Sequence, residues 1–346
     1  MTTALIDADI IAFRSAAAIE RNADELALPN PADAFAYADV MVREWTKYVK
    51  PNKIIMCFSD AGRKYFRNDI YPEYKANRAG LERPSALTET YEYLADKYSH
   101  ERRPGLEADD LLGIFGTHPD VPNPVVISID KDMMTLPVKY LNPDKMRRPI
   151  KINKASADYA MLLQSMIGDS TDNYKGIPGI GKVKAAKIVG ASTNPSVIWK
   201  NIQQAFIDNH LTVEYAITMV RLARILRFED YNFETGEVRL WHPSKPEWIT
   251  PLNQVTTSMK MESKPSITSS RSQEDSTEPK VPSPPTSLST SLDSGVRATP
   301  PKISKKQNGI STGLSKKSKK TTVSLSSKNV SERTKTLSKG HKNDKR

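Results

Sequence analysis

Four short apolar runs, three of them ending on an aspartate, limit the fold of this 346-residue chain more than any other feature. Residues 4–6 precede Asp7, residues 53–58 (KIIMCF) precede Ser59 and Asp60, residues 124–129 (PVVISI) precede Asp130, and residues 138–141 form a weaker run. Ile10 and Ile11 continue the first run beyond Asp7 and Asp9. Between the runs, residues 32–49, 86–98 and 108–117 read as helices. Continuous apolar strands alternating with helices predict an α/β fold, a parallel sheet covered on both faces. Ligands of such sheets bind beyond the carboxyl ends of the strands, so Asp7, Asp60, Asp130 and Asp132 are expected along one edge. From residue 153 the pattern turns helical, over 154–167, 182–189, 195–209 and 211–228. Gly190 fits the position that closes the second of these helices. This helical part is expected to pack against the acid-bearing edge, with Trp241 and Trp248 returning onto the body.

Charge is unevenly distributed. Residues 251–346 contain no Phe, Tyr or Trp and hold 19 Lys and Arg against 7 Asp and Glu, a net of +12. The preceding 250 residues carry 32 basic and 33 acidic groups, so the overall excess of positive charge says nothing about what the folded part binds. A segment so poor in apolar residues cannot offset its ordering entropy, and 251–346 is expected to be a disordered basic tail. It serves either as a linker or as an electrostatic tether to nucleic-acid phosphates. The single cysteine, Cys57, excludes an internal disulfide and is expected as a small buried hydrophobe. The first residues, MTTALIDADIIAF, lack the basic start of a secretory leader, and no run reaches the length of a membrane span. A soluble, cytoplasmic protein is expected.

The acids form a constellation. Glu107, Asp109 and Asp110 open a predicted helix, where negative charge also suits the helix dipole. Asp130 and Asp132 lie two apart at a strand end and are expected to point one way. Glu107 with Asp110, and Asp169 with Asp172, are three apart and are expected to share helical faces. Each has an ordinary reading as a cap or turn residue. Together they crowd one region, where each like-charged pair about 4 Å apart costs on the order of 4 kcal/mol at an effective dielectric near 20. Such a cluster stands only when cations or protons neutralise it. Oxygen ligands without His or Cys select Mg²⁺, or Mn²⁺ in its place. Two ions about 3.5–4 Å apart would suit phosphodiester hydrolysis.

Directly after Asp60 comes GRKYFRNDIYPEYKANRAGLER, residues 62–83, in which cations alternate with aromatics. Such a segment can grip a phosphate and stack an unpaired base. Residues 176–182, GIPGIGK, precede a helix bearing Lys184. Glycines let backbone approach a phosphate, and the free N–H groups at a helix start complete an anion site.

LIDAD, YPEYKANR, GLEADD, SIDKD and GDSTDNYKGIPGIGKVKAAKI, in that order, resemble the motifs of the 5′-nuclease (flap endonuclease) superfamily, and most of all its stand-alone phage exonucleases. The resemblance spans residues 5–189. It implies a PIN-like domain, a helical arch and a helix–three-turn–helix that tracks duplex DNA. It assigns Asp7, Asp60, Glu107, Asp109 and Asp110 to a first metal site, and Asp130, Asp132, Asp169 and Asp172 to a second. Lys75 and Arg78 would contact the scissile phosphate. Arg67, Tyr74, Gly176, Gly179, Gly181, Lys182 and Lys184 would contact DNA, and the hairpin carbonyls could hold K⁺. The implied substrates are duplex DNA with a 5′ end or flap, and RNA–DNA hybrids, acted on by a monomer. Asp9 stands where family members often carry a small polar residue and is left outside the set. The expected divisions are a catalytic domain over 1–152, a helical subdomain over 153–250 and the tail. Two other readings are a PIN-type ribonuclease, which the glycine hairpin disfavours, and an inactive nucleic-acid binder, which the full set of acids disfavours.

Overall fold

A computed structural model describes residues 1–22, 29–245 and 248–251. The basic tail therefore lies outside the described residues, save Pro251. Six strands form one sheet in the order β3-β2-β1-β4-β5-β6. They are β1 (Thr3–Asp7), β2 (Lys53–Phe58), β3 (His100–Arg102), β4 (Pro124–Ile127), β5 (Lys139–Leu141) and β6 (Ile150–Lys151). The first five run parallel and β6 pairs antiparallel with β5. The chain moves outward from β1 through β2 and β3, then resumes on the other side at β4. That reversal makes the carboxyl ends of β1 and β4 the switch point, where α/β sheets open a crevice.

The expected runs become β1, β2, β4 and β5. Beyond Asp7 the apolar pattern belongs instead to a helix, α1 (Ala8–Asn22), that starts at once. Ile11, Ala12, Ser15 and Ala16 are fully buried, the spacing of a helical face. Alternation along each strand then divides the core. Ala4, Ile6, Met56, Phe58, Val125 and Ile127 pack with α1, α2 (Pro31–Thr46) and α4 (Leu87–Lys97). Leu5, Cys57 and Val126 face the other way, toward α5 (Ala108–Thr117) and Ile225–Leu226. A fully buried Leu or Ile in such a core contributes about 1.5–3 kcal/mol.

Helix α5 is inserted tightly. A Cβ on Gly113 would lie 2.1 Å from the Leu226 carbonyl oxygen and 2.8 Å from the Leu136 side chain. Gly113→Ala should therefore lower stability by about 1–3 kcal/mol despite alanine's better helix propensity. Urea unfolding decides this; a stabilised variant would mean that the contact relaxes freely.

The helical part comprises α6 (Lys154–Ile167), α7 (Lys182–Val189), α8 (Pro195–Asp208) and α9 (Val213–Ala223). Their core includes Met161, Met166, Trp199, Phe206 and Val220, closed by Trp241 and Trp248. Helix α9 stops five residues before the expected end. Arg224 leaves it in extended conformation, and the 3₁₀ turn Phe228–Asp230 comes next. Between β2 and α4 the chain forms the short helix α3 (Phe66–Ile70) and one 3₁₀ turn, Ala76–Arg78.

Candidate active site

Carboxylates from five places meet beyond the strand ends. Asp7 closes β1 and Asp9 lies in the first turn of α1. Asp60 lies just past β2, Glu107 caps α5, and Asp109 is in the first turn of that helix. Asp130 caps the 3₁₀ turn Lys131–Thr135, which contains Asp132. Asp169 and Asp172 lie between α6 and α7, in a loop pinned by the Asp169–Tyr174 backbone pairing rather than on a shared helical face. All of these, with Lys75 and Arg78, line one cleft of about 1330 Å³.

The acids disturb one another. Burial, then the charges of Asp9 and Asp130, push Asp7 up to about 7, although Ile10 N–H and the Ser128 hydroxyl donate to it at 3.2 and 3.0 Å. Asp109 is pushed well above the carboxylate range by burial and by Asp7 and Asp130. Burial and Asp130 raise Asp132 to about 6, against a 2.9 Å hydrogen bond from the Gln164 amide. Burial raises Asp172, helped by Glu107 and opposed by Lys75. Glu107 and Asp169 move down despite burial. Lys75 and Arg67 hold Glu107 charged, while the Thr171 N–H and Lys131 hold Asp169. Asp60 accepts from the Gly62 and Gly105 N–H groups at 3.3 and 3.0 Å.

Two cations stand on the same wall. The Lys75 ammonium bonds Glu107 and lies 3.6 Å from Asp172. The Lys75 backbone is left-handed, φ 56°, and its N–H donates to the Asp172 carbonyl at 3.0 Å. Arg78 bonds the same Asp172 carboxylate at 2.7 Å.

Three expectations are corrected. Asp110 is fully buried and faces away from the cleft. Its carboxylate accepts from Arg67 at 2.7 and 2.8 Å and from the backbone N–H groups of Leu226 and Glu107. It anchors the fold and is no cleft ligand. Arg67, only 2% exposed, spends its guanidinium on Asp110, Glu107 and the carbonyls of Leu222 and Arg224, so it cannot reach DNA. Tyr74 is buried in the helical core and its hydroxyl donates within reach of both Glu107 and Asp172, at 2.9 and 3.0 Å. It braces the site and has no face for a base.

The hairpin glycines also divide. A Cβ on buried Gly176 would lie 2.4 Å from the Met166 carbonyl and 2.5 Å from Gly168 N, so Gly176 serves a backbone crossing. Gly179 and Gly181 face open space, beside exposed Lys182 and Lys184. Asp9 is a cleft acid beside Asp7 that the sequence reading left out of the set. A helix beginning at Ala8 was the missing signal, since it puts Asp9 in a first turn at the switch point.

The donor set fits a hard divalent cation: it is all oxygen, and burial together with neighbouring carboxylates raises Asp7, Asp109, Asp132 and Asp172. Among the described residues, no three acidic, His or Cys side chains yet stand close enough to share one ion. Lys75, Gln164 and Lys131 bond oxygens of Glu107, Asp132 and Asp169. Burial and repulsion together have a pH signature. The folded protein keeps protons on Asp7 and Asp132 up to about 7 and 6, whereas the free carboxyl releases them near 3.8. Stability therefore falls as pH rises through that window. Metal-free protein should melt lower at about pH 8 than at about pH 5.5, and saturating Mg²⁺ should remove most of the loss. A melting temperature that rises between those pH values without metal contradicts the assignment.

A largely parallel α/β sheet whose switch point gathers carboxylates and cations makes a site of the class suited to phosphate-ester chemistry. Residues 2–159 match the family described as the 5′-3′ exonuclease N-terminal resolvase-like domain. That segment is a little under half of the chain, and over it the chain is similar to the 5′-3′ exonucleases. It is 29% identical over 222 residues to the exodeoxyribonuclease of Enterobacteria phage T3, spanning 55% of this chain and 73% of that protein. The exonuclease of Escherichia phage T7 matches at 29% over 222 residues, 55% of this chain and 74% of its own. A solved structure of phage T5 5′-exonuclease with bound zinc shares 21% identity, covering 64% of this chain and 89% of its own, at a TM-score of 0.48. No helix among the described residues is long and apolar enough to cross a membrane.

Proposed function

We propose that the chain is a 5′-3′ exonuclease and structure-specific 5′ flap endonuclease that hydrolyses duplex DNA, and RNA in RNA–DNA hybrids, with two Mg²⁺ ions or Mn²⁺ in their place. The convergence of Asp7, Glu107, Asp109, Asp130 and Asp172 with Lys75 and Arg78 in one cleft carries this reading. Asp7, Asp60, Glu107 and Asp109 would hold one ion, and Asp130, Asp132, Asp169 and Asp172 the other. When bound, the ions supply an activated water and charge stabilisation at the phosphate. The chain's own part is to position the DNA. Lys75 and Arg78 grip the scissile phosphate, while Gly179, Gly181, Lys182 and Lys184 hold the duplex backbone, with K⁺ at the hairpin carbonyls. The protein acts as a cytoplasmic monomer, with a catalytic domain over 1–152, a helical subdomain over 153–250 and a basic tail that tethers DNA.

The test offers 5′-labelled duplex, flap and RNA–DNA hybrid substrates with Mg²⁺ and sizes the products. Short labelled fragments from duplex and flap are expected. Cleavage of single-stranded RNA alone would favour the ribonuclease reading, and tight binding without products an inactive binder.

A further inference from the structure

We infer that Ser128 is a positioning residue: its hydroxyl ties the Asp7 carboxylate at the end of β1 to the Asp130 main chain beyond the end of β4, and so sets how the two acids face the cleft. The inference rests on the functional reading above, which gives Asp7 to one ion and Asp130 to the other. It adds to that site a residue that is neither acidic nor basic.

The bridge stands at the switch point. The pairing of β1 with β4 ends at Ile6 and Ile127. One residue further on, a side chain takes over from the backbone. The Ser128 hydroxyl donates to Asp7 Oδ2 at 3.0 Å, and the same oxygen accepts from the Asp130 N–H at 3.1 Å. Ser128 is fully buried, and its own N–H donates to the Leu141 carbonyl at 3.3 Å, which holds it against β5. The Tyr140 hydroxyl, also from β5, donates to the Asp130 carbonyl at 2.8 Å. The other Asp7 oxygen accepts from the Ile10 N–H at 3.2 Å. Both acids are thus fixed by groups that belong to the sheet and to the first turn of α1.

A hydroxyl serves both partners through one atom, because it has one proton to give and lone pairs to receive. The Asp130 N–H takes the acceptor side, so the single proton is directed to Asp7. Packing alone asks for no such group. An alanine would fill most of the same place without the cost of burying a hydroxyl. Without the hydroxyl, Asp7 keeps one fixed oxygen instead of two, and the turn that carries Asp130 loses its tie to β1. Loss of an outer hydrogen bond to an ion-binding side chain typically costs about 10–100-fold in metal affinity or activity.

The test titrates Mn²⁺ into the full chain and reads free Mn²⁺ by electron paramagnetic resonance, which needs no turnover, beside thermal melts without metal. Ser128→Ala and Ser128→Cys remove the hydroxyl, the thiol being only a weak donor. Ser128→Thr keeps it and adds a methyl in a fully buried place. The first two should stay folded and bind Mn²⁺ about tenfold or more weakly. Ser128→Thr should bind Mn²⁺ like the parent even where the extra methyl lowers its melting temperature. Metal affinity then follows the hydroxyl and not the stability, which a merely structural serine would not produce. Parental Mn²⁺ binding in a folded Ser128→Ala or Ser128→Cys overturns the inference, as does a folded Ser128→Thr as weak as Ser128→Ala. Loss of the fold in both hydroxyl-free variants makes the serine structural and overturns it too. A parent chain that binds no Mn²⁺ at all overturns the two-ion reading itself, and the assignment of Ser128 falls with it; a parent that binds beside an unchanged Ser128→Ala overturns only the latter.

Discussion

Asp109→Asn lowers the single-turnover cleavage rate on the order of 10³-fold, while affinity for duplex DNA holds or rises. Asp109 lies at the centre of the repulsion, with burial, Asp7 and Asp130 all opposing its charge. Replacing it by the isosteric amide removes a hard anionic ligand, so the ion that it would help hold is bound more weakly and placed less well. The same change removes negative charge from a cleft that must accept phosphate, which favours binding. Rapid-quench assays at saturating enzyme, beside binding titrations in Ca²⁺ or EDTA, separate the two effects. A variant that loses DNA affinity but keeps its rate per bound complex would place Asp109 in binding rather than chemistry.

Lys75→Ala lowers the same rate on the order of 10²–10³-fold and weakens duplex binding only slightly. The Lys75 ammonium is 16% exposed and bonded to Glu107. Despite burial, which works against its charge, Glu107 and Asp172 hold it firmly protonated. It thus stays a cation at any working pH, beside acids from both proposed ion sites. Charge grows on the phosphate as the bond breaks, so a cation fixed here acts mostly on the transition state. Arg78, 44% exposed and on the rim, should matter less to the rate. Equal losses in rate and affinity for Lys75→Ala would reduce Lys75 to a general electrostatic contact.

Some of this protein is determined by the sequence alone. Apolar runs ending on acids specify a parallel sheet with its charged edge at the strand ends, because the burial of a strand and the polarity of the residue after it are local properties. Asp7, Asp60, Asp130 and Asp132 line the cleft for that reason; Glu107, Asp109, Asp169 and Asp172 reach it from a helix start and a loop, and Asp110 does not reach it. Other features depend on partners far away in the chain. Arg67 reads as a DNA contact within a basic, aromatic segment. Its actual partners are Asp110, 43 residues on, and the carbonyls of Leu222 and Arg224, more than 150 residues on. Tyr74 turns inward because Glu107 and Asp172 meet at its hydroxyl. Asp9 turns toward the cleft because α1 begins one residue earlier and Ser59, 50 residues away, holds it there. Local pattern fixes which residues are strand, helix or acid. Whether a charged side chain faces water, a substrate or a buried partner is decided only when the folded chain brings that partner within hydrogen-bonding distance, since an unpaired buried charge is too costly to keep and a paired one is not.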